Sequence, residues 1–184
     1  MDSLWSKLIE KVRSYKLGGL EEEALLNIAQ AKEYSTCLQT SSTLTSPLYL
    51  FYYMVSLGRV LFVCKKRMPF KELLHGLTTR KEGISVTVKT YGTFPTLHSI
   101  VAKERIKPGT RFGIEDLLSM IPWISKIETQ NIPPLSASYL LGFLLSMISR
   151  YDPILWNTVR LDYSISLFLK ETPRRFLEEL IKAL

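Results

Sequence analysis

Histidine and cysteine are scarce in this chain, with two of each among 184 residues. Cys37 and Cys64 lie in stretches with helical periodicity, and their separation fits neither a disulfide framework nor a zinc site. The expected setting is therefore reducing and cytoplasmic, with no metal and no cofactor. His75 and His98 lack Cys, His or carboxylate neighbours at ligand spacing. Gly-rich phosphate loops are missing as well, since Gly18-Gly19 has neither the lysine nor the spacing of a P-loop. Met1-Asp2-Ser3-Leu4-Trp5 has no basic region ahead of an apolar one, so no signal peptide is expected. Internal repeats and low-complexity tracts are missing too.

Acidic residues are short in one place only. Residues 59–111 carry twelve basic and three acidic groups, whereas the segments on either side each carry a net charge of −1. The excess is densest at Arg59, Lys65, Lys66, Arg67 and Lys71, followed by Arg80 and Lys81. Such a run, with Phe62 and Phe70 beside it, suits a nucleic-acid backbone or an acidic partner; the bland alternative is a solvated lysine-rich face.

With 46% hydrophobic residues, the chain is expected to form one domain over residues 1–184 with a buried core. Pro47 to Cys64 is nearly long enough to span a membrane. Arg59 inside it would cost roughly 2.5–3.5 kcal/mol on insertion, so a buried helix is expected and no membrane span. The most apolar stretch, Tyr139 to Ile148, is interrupted only by Gly142 and Ser146 and reads as a central buried helix. It ends at Arg150, in the last turn where a cation complements the helix dipole. Asp152 then caps a following helix that has Pro153 at its first position. Tyr151, Asp152 and Trp156 join Arg150 in a structural joint, with Trp156 and Tyr151 read as packing groups rather than a base-stacking platform.

Other elements follow from periodicity and punctuation. Ser3 is expected to cap a first helix ended by Gly18-Gly19, and Glu21-Glu22-Glu23 opens a second. Pro47 opens the third, running to about Cys64. Pro69 to Leu77 looks like one or two helical turns closed by Gly76, with His75 at their end. Ile84 to Tyr91 alternates as a strand, and a second strand is expected near Leu97 to Ala102, placing His98 near a strand or turn. Glu115 to Met120 reads as helix, with a spacer over Asn131 to Pro134 and Ser136 or Ser138 as the next cap. Ile154 to Leu169 reads as one helix, and Thr172-Pro173 as the start of another. The expected fold is mainly α, a helical bundle with a small β-ribbon insertion at about residues 84–111.

Several stretches, in order, resemble the YaaC-like family of prokaryotic proteins. They are Ala29-Gln30-Ala31-Lys32-Glu33-Tyr34, Ser46-Pro47-Leu48-Tyr49-Leu50-Phe51-Tyr52-Tyr53, His75-Gly76-Leu77, Val88-Lys89-Thr90-Tyr91-Gly92-Thr93-Phe94, Asp116-Leu117-Leu118-Ser119-Met120-Ile121-Pro122, and Arg150-Tyr151-Asp152-Pro153 with Trp156. They run from about residue 29 to 156. The family brings no settled activity. Its helical core is similar to the HEPN superfamily of small helical proteins, many of them RNases or partners of nucleic-acid-processing enzymes in defence systems.

That wider resemblance implies an Arg followed shortly by a His at a helix junction, the guanidinium holding a phosphate while the imidazole moves a proton. Arg150 stands in such a place, but Leu155, Trp156 and Asn157 follow it and no histidine lies anywhere downstream. The leading expectation is therefore a non-catalytic HEPN-like accessory subunit. It would bind a larger nucleic-acid-processing, defence-type protein, one of Argonaute-like class among the candidates, and contribute a basic surface for RNA or DNA. The first alternative is an RNase using Arg150 with a non-standard proton carrier such as His75 or a second subunit. The second is a purely structural interaction module.

Overall fold

The computed structural model describes residues 1–71, 74–80, 84–125 and 132–184, with Arg80 described by its backbone alone. Three helices set the frame: α2 (Glu21–Thr40), α3 (Ser46–Lys66) and α6 (Pro134–Tyr151). α3 lies between the other two and packs on both. Its position follows from its composition, which is apolar on every side and dense in aromatics. Leu50, Phe51, Tyr53, Met54, Leu57, Val60, Leu61 and Val63 are all buried. α3 has the length and composition to cross a membrane, yet 72% of its most apolar window is buried inside the fold. α6 is buried along Leu135 to Ser146, and Gly142 lets it approach α3, because a Cβ there would meet the Met54 Cε at 2.0 Å.

The remaining helices close the bundle. α1 (Asp2–Ser14) packs on α2 through Trp5, Leu8 and Val12. Its N-cap is Met1, so Ser3 lies inside the helix rather than capping it. It also stops short of Gly18-Gly19: Lys16 turns the chain at φ 50° and a short 3-10 turn leads into α2. α6 begins at Pro134, which leaves Ser136 and Ser138 buried within it instead of at its cap. Asp152 does cap α7 (Pro153–Val159), its Oδ1 accepting the Leu155 N–H at 3.0 Å.

The expected helix over Ile154 to Leu169 is broken. Asp162 accepts the N–H groups of Ser164 and Ile165, ending one segment and capping α8 (Tyr163–Ala183). α8 then runs through Pro173 without stopping. Phe168 and Thr172 before the proline, and Phe176, Leu177 and Leu180 after it, bury one continuous face. Tertiary hydrogen bonds also hold this turn: the Tyr53 hydroxyl donates to the Pro173 carbonyl at 2.5 Å, and the Trp123 indole N–H donates to Thr172 Oγ1 at 3.2 Å. Packing overrides the local tendency of proline to start a new helix.

The β insertion is an antiparallel three-stranded sheet in the order β1 (Leu77–Arg80), β2 (Ser85–Val88), β3 (Arg111–Gly113). Leu77 pairs with Val88, and Val86 with Phe112. β1 occupies the end of the stretch expected to be helical. Residues 72 and 73 of that stretch lie outside the described residues, but residues 74 and 76 are bends and His75 between them is irregular, so His75 does not end a helix. Leu97 to Ala102 is no strand either: it belongs to α4 (Thr93–Ala102), which packs against α3 and α6. Phe94, Leu97 and His98 all face inward from it at helical spacing, a period masked in sequence by the β-branched Ile100 and Val101. α5 (Ile114–Ser119) follows β3 directly, the Asp116 carboxylate accepting the Gly113 N–H.

Candidate functional site

A cleft of about 720 Å³ lies between the C-terminal turns of α6 and the edge of the sheet. α6 contributes Phe143, Met147, Arg150 and Tyr151; the sheet and its flanks contribute His75, Gly76, Thr78, Lys89, Thr90 and Tyr91. The sheet side of the cleft is held together by a backbone lock. Thr93 N–H donates to the Leu74 carbonyl at 2.9 Å, Phe94 N–H to the His75 carbonyl at 3.0 Å, and Lys89 N–H to the Gly76 carbonyl at 2.8 Å. The first amides of α4 thus find partners in the His75 segment, which fixes that segment to the helix. Gly76, at φ +72°, and Gly92, at φ +129°, pack backbone to backbone, where a Cβ on Gly92 would lie 2.3 Å from the Gly76 nitrogen.

His75 stands half-buried in the cleft, its ring edge-on to Phe51 at 4.9 Å and tilted against Phe143 at 5.9 Å. Its Nδ1 is buried without a hydrogen-bond partner. Burial, then the charges of Arg150 and Arg59, hold the imidazole below its usual basicity, so at neutral pH it is uncharged and able to accept a proton. Arg150 is exposed. Its Nε donates to the Ser146 carbonyl at 2.9 Å, Nη2 approaches Met147 Sδ at 3.3 Å, and the guanidinium sits 5.2 Å from the Tyr151 ring centroid. Asp152 does not pair with it, its carboxylate being used to cap α7. Trp156 is buried, with its indole N–H donating to the Thr43 carbonyl at 3.2 Å.

Among the described residues, the cleft lining carries two cations, Arg150 and Lys89, and no carboxylate. Tyr91 and Tyr151 also line it and are 79% and 71% exposed. Lys89, Thr90 and Tyr91 escaped the sequence reading as site residues, although they fall in a stretch that resembles the family. Only the sheet register, which sets β2 beside the His75 segment, brings them to Arg150.

In the basic run of residues 59–71, Lys65, Lys66, Arg67 and Lys71 are exposed, and two of them also make contacts within the fold. Lys65 Nζ donates to the Leu184 carbonyl at 3.0 Å and lies 5.5 Å over the Tyr15 ring, while Tyr15 donates its hydroxyl to the same carbonyl. Arg67, in the left-handed conformation that ends α3, donates from Nη2 to the Tyr15 carbonyl at 2.8 Å. Both therefore tie α3 to the end of α1, and Lys65 ties it to the end of α8 as well. Arg59 is half-buried over Phe70 at 5.3 Å. Lys66 and Lys71 are exposed. The Arg80 side chain and Lys81 lie outside the described residues.

His98, which the sequence left beside a strand, is buried in α4 and its Nδ1 shares a hydrogen bond with Ser136 Oγ at 3.0 Å. The serine is fully buried, so this pair offers no path to a substrate. Among the described residues, no three His, Cys, Asp or Glu side chains gather where they could hold a metal ion.

Fold and cleft together define a mainly α protein with a small antiparallel sheet and a cleft at their junction that holds Arg150, Lys89 and His75. The YaaC-like family model matches residues 19–130 and 123–184, and the chain belongs to that family. No curated protein and no solved structure matches it.

Proposed function

We propose that the protein binds single-stranded nucleic acid in the cleft between α6 and the sheet, and serves as a HEPN-like accessory subunit of a larger nucleic-acid-processing protein of the defence type. The observation that carries this reading is that Arg150 and Lys89 line one cleft with two exposed tyrosines and, among the described residues, no carboxylate. Guanidinium and ammonium suit successive phosphates. Exposed tyrosine rings suit unstacked bases, which a duplex does not offer. This reading puts the interface at the cleft, because Lys65 and Arg67, though exposed, spend part of their hydrogen-bonding capacity on the Leu184 and Tyr15 carbonyls.

Support for a protein partner comes from Ile154, Leu161 and Tyr163, large apolar side chains left exposed along α7 and its exit. The test is fluorescence anisotropy with a labelled single-stranded RNA across a salt series. Affinity should fall with salt, and Arg150→Ala or Lys89→Ala should each flatten the logarithmic slope by about 0.7, the value of one phosphate contact on a single strand. Binding that ignores both substitutions refutes the reading. Copurification from native cells followed by mass spectrometry tests the partner.

A second reading is favoured by one specific observation, the His75 imidazole, its buried Nδ1 without a hydrogen-bond partner, in the same cleft as Arg150. In that reading the protein cleaves RNA, with His75 as proton carrier and Arg150 holding the scissile phosphate. Cleavage by the purified protein that is lost in His75→Gln while RNA affinity stays unchanged would establish it. Intact RNA leaves the protein a binder alone.

A further inference from the structure

A second cavity, of about 570 Å³, opens beside the first turns of α2, away from the cleft. Its walls include Glu22, Glu23, Leu26, Gln30, Arg59 and Phe70. Arg59 reaches it half-buried from the middle of α3, with Nε fully buried and without a hydrogen-bond partner. The Phe70 ring lies 5.3 Å away, the Arg59 charge also acts on His75, and among the described residues no hydrogen bond or ion pair meets the guanidinium. Ion pairs among the described residues join Arg13 to Glu21, Arg174 and Arg175 to Glu178, and Lys182 to Glu179, and none reaches Arg59. Glu22 and Glu23 share the cavity without closing on it. Glu23 instead accepts the Phe70 N–H through Oε1 at 2.9 Å, which fixes the aromatic wall.

A half-buried guanidinium with no ion pair among the described residues is an incomplete arrangement, because its desolvation is compensated only when its donors are met. A ligand that is only anionic would face two carboxylates, and one that is only cationic would face the guanidinium. A group carrying both charges a short distance apart satisfies all three. Leu26, largely exposed, and Phe70 add an apolar wall beside the charges. We propose that this cavity binds a free α-amino acid with an apolar side chain. Its carboxylate lies on Arg59, its ammonium meets Glu22 and Glu23, and its side chain lies against Leu26 and Phe70. The planar fork of Arg59 matches a carboxylate in two parallel hydrogen bonds.

The probes are L-leucine and L-phenylalanine, titrated by calorimetry into the full chain, with leucinamide and N-acetyl-leucine as capped controls. Saturable one-to-one binding of at least one amino acid is expected, with each capped control at least tenfold weaker. Arg59→Gln should weaken binding at least tenfold. Because Arg59 lies in the central helix, Glu22→Gln provides an independent variant at an exposed position; it should weaken amino-acid binding severalfold with an unchanged melting temperature. No saturable binding by either amino acid, capped forms that bind as well as the free ones, or a Glu22→Gln variant that binds as tightly as the parent would each overturn the proposal.

Discussion

His75 and Arg150 line one cleft although 74 positions separate them in the chain, and the arginine's charge acts on the histidine's proton affinity. Burial is the larger influence; Arg150 and Arg59 add to it in the same direction. Removing either charge should therefore raise the midpoint of His75. The measurement is an NMR titration of the imidazole, made unambiguous by His98→Gln, which leaves a single histidine. Arg150→Met and Arg59→Met should each shift the curve to higher pH, and a midpoint that ignores Arg150→Met would mean the two groups do not sense one another.

The cleft wall depends on Gly76. Its φ of +72° suits glycine, and a Cβ there would lie 2.5 Å from the Tyr91 carbonyl oxygen and 2.6 Å from Pro95 Cδ. Gly76→Ala should cost at least about 1 kcal/mol from the left-handed backbone alone, with the clash against a fixed carbonyl added. Since the same contact holds His75 and Tyr91 in place, thermal unfolding and RNA affinity should deteriorate together. A variant that melts as the parent does would show that the Gly76–Gly92 approach is loose.

Much of the architecture is legible in the sequence, and the parts that are not have physical causes. The α6–α7 joint was legible because Asp152-Pro153 is a local signal, complete within a few residues. α4 was not, because Thr96, Ile100 and Val101 suit strands as well as helices, and only packing on α3 and α6 decides between them. Pro173 misled for a similar reason, as the Tyr53 and Trp123 hydrogen bonds that help hold the turn come from far along the chain. Arg150 and His75 were named as candidates from sequence, but their meeting in one cleft depends on the β1–β2 register and the α4 amides, neither of which is a local property. Lys65 and Arg67 are exposed as their charge suggests, but nothing local tells that Tyr15 and Leu184 will also come to them.

Trp156 should prove a principal support of the joint. It is 1% exposed and ties α7 to the segment before α3 through the Thr43 carbonyl. Trp156→Ala should cost about 3–5 kcal/mol, the range for deleting a buried aromatic side chain. Trp156→Phe retains most of the packing and loses the indole donor, for about 1 kcal/mol from the hydrogen bond plus a smaller void. Urea unfolding of both variants checks the order; equal stabilities would show that the joint has room to collapse around a smaller side chain.

His98 should make the fold sensitive to mild acid. Its imidazole is buried against Phe94 and Ser136, and burial lowers its proton affinity, with the Glu104 charge opposing. The folded state therefore binds fewer protons than the unfolded chain once the pH falls toward the unfolded midpoint of about 6.5. Stability is full above that pH and declines below it, until the folded-state midpoint is passed. His75, lowered for its own reasons, adds a second contribution of the same sign. Denaturant unfolding at pH 7.5 and at pH 5.5 should show a lower midpoint at the acid value. In His98→Gln, whose amide can still meet Ser136 without titrating, the difference between the two pH values should shrink. A variant that keeps the full difference would assign the acid sensitivity to other groups and leave His98 free to protonate within the fold.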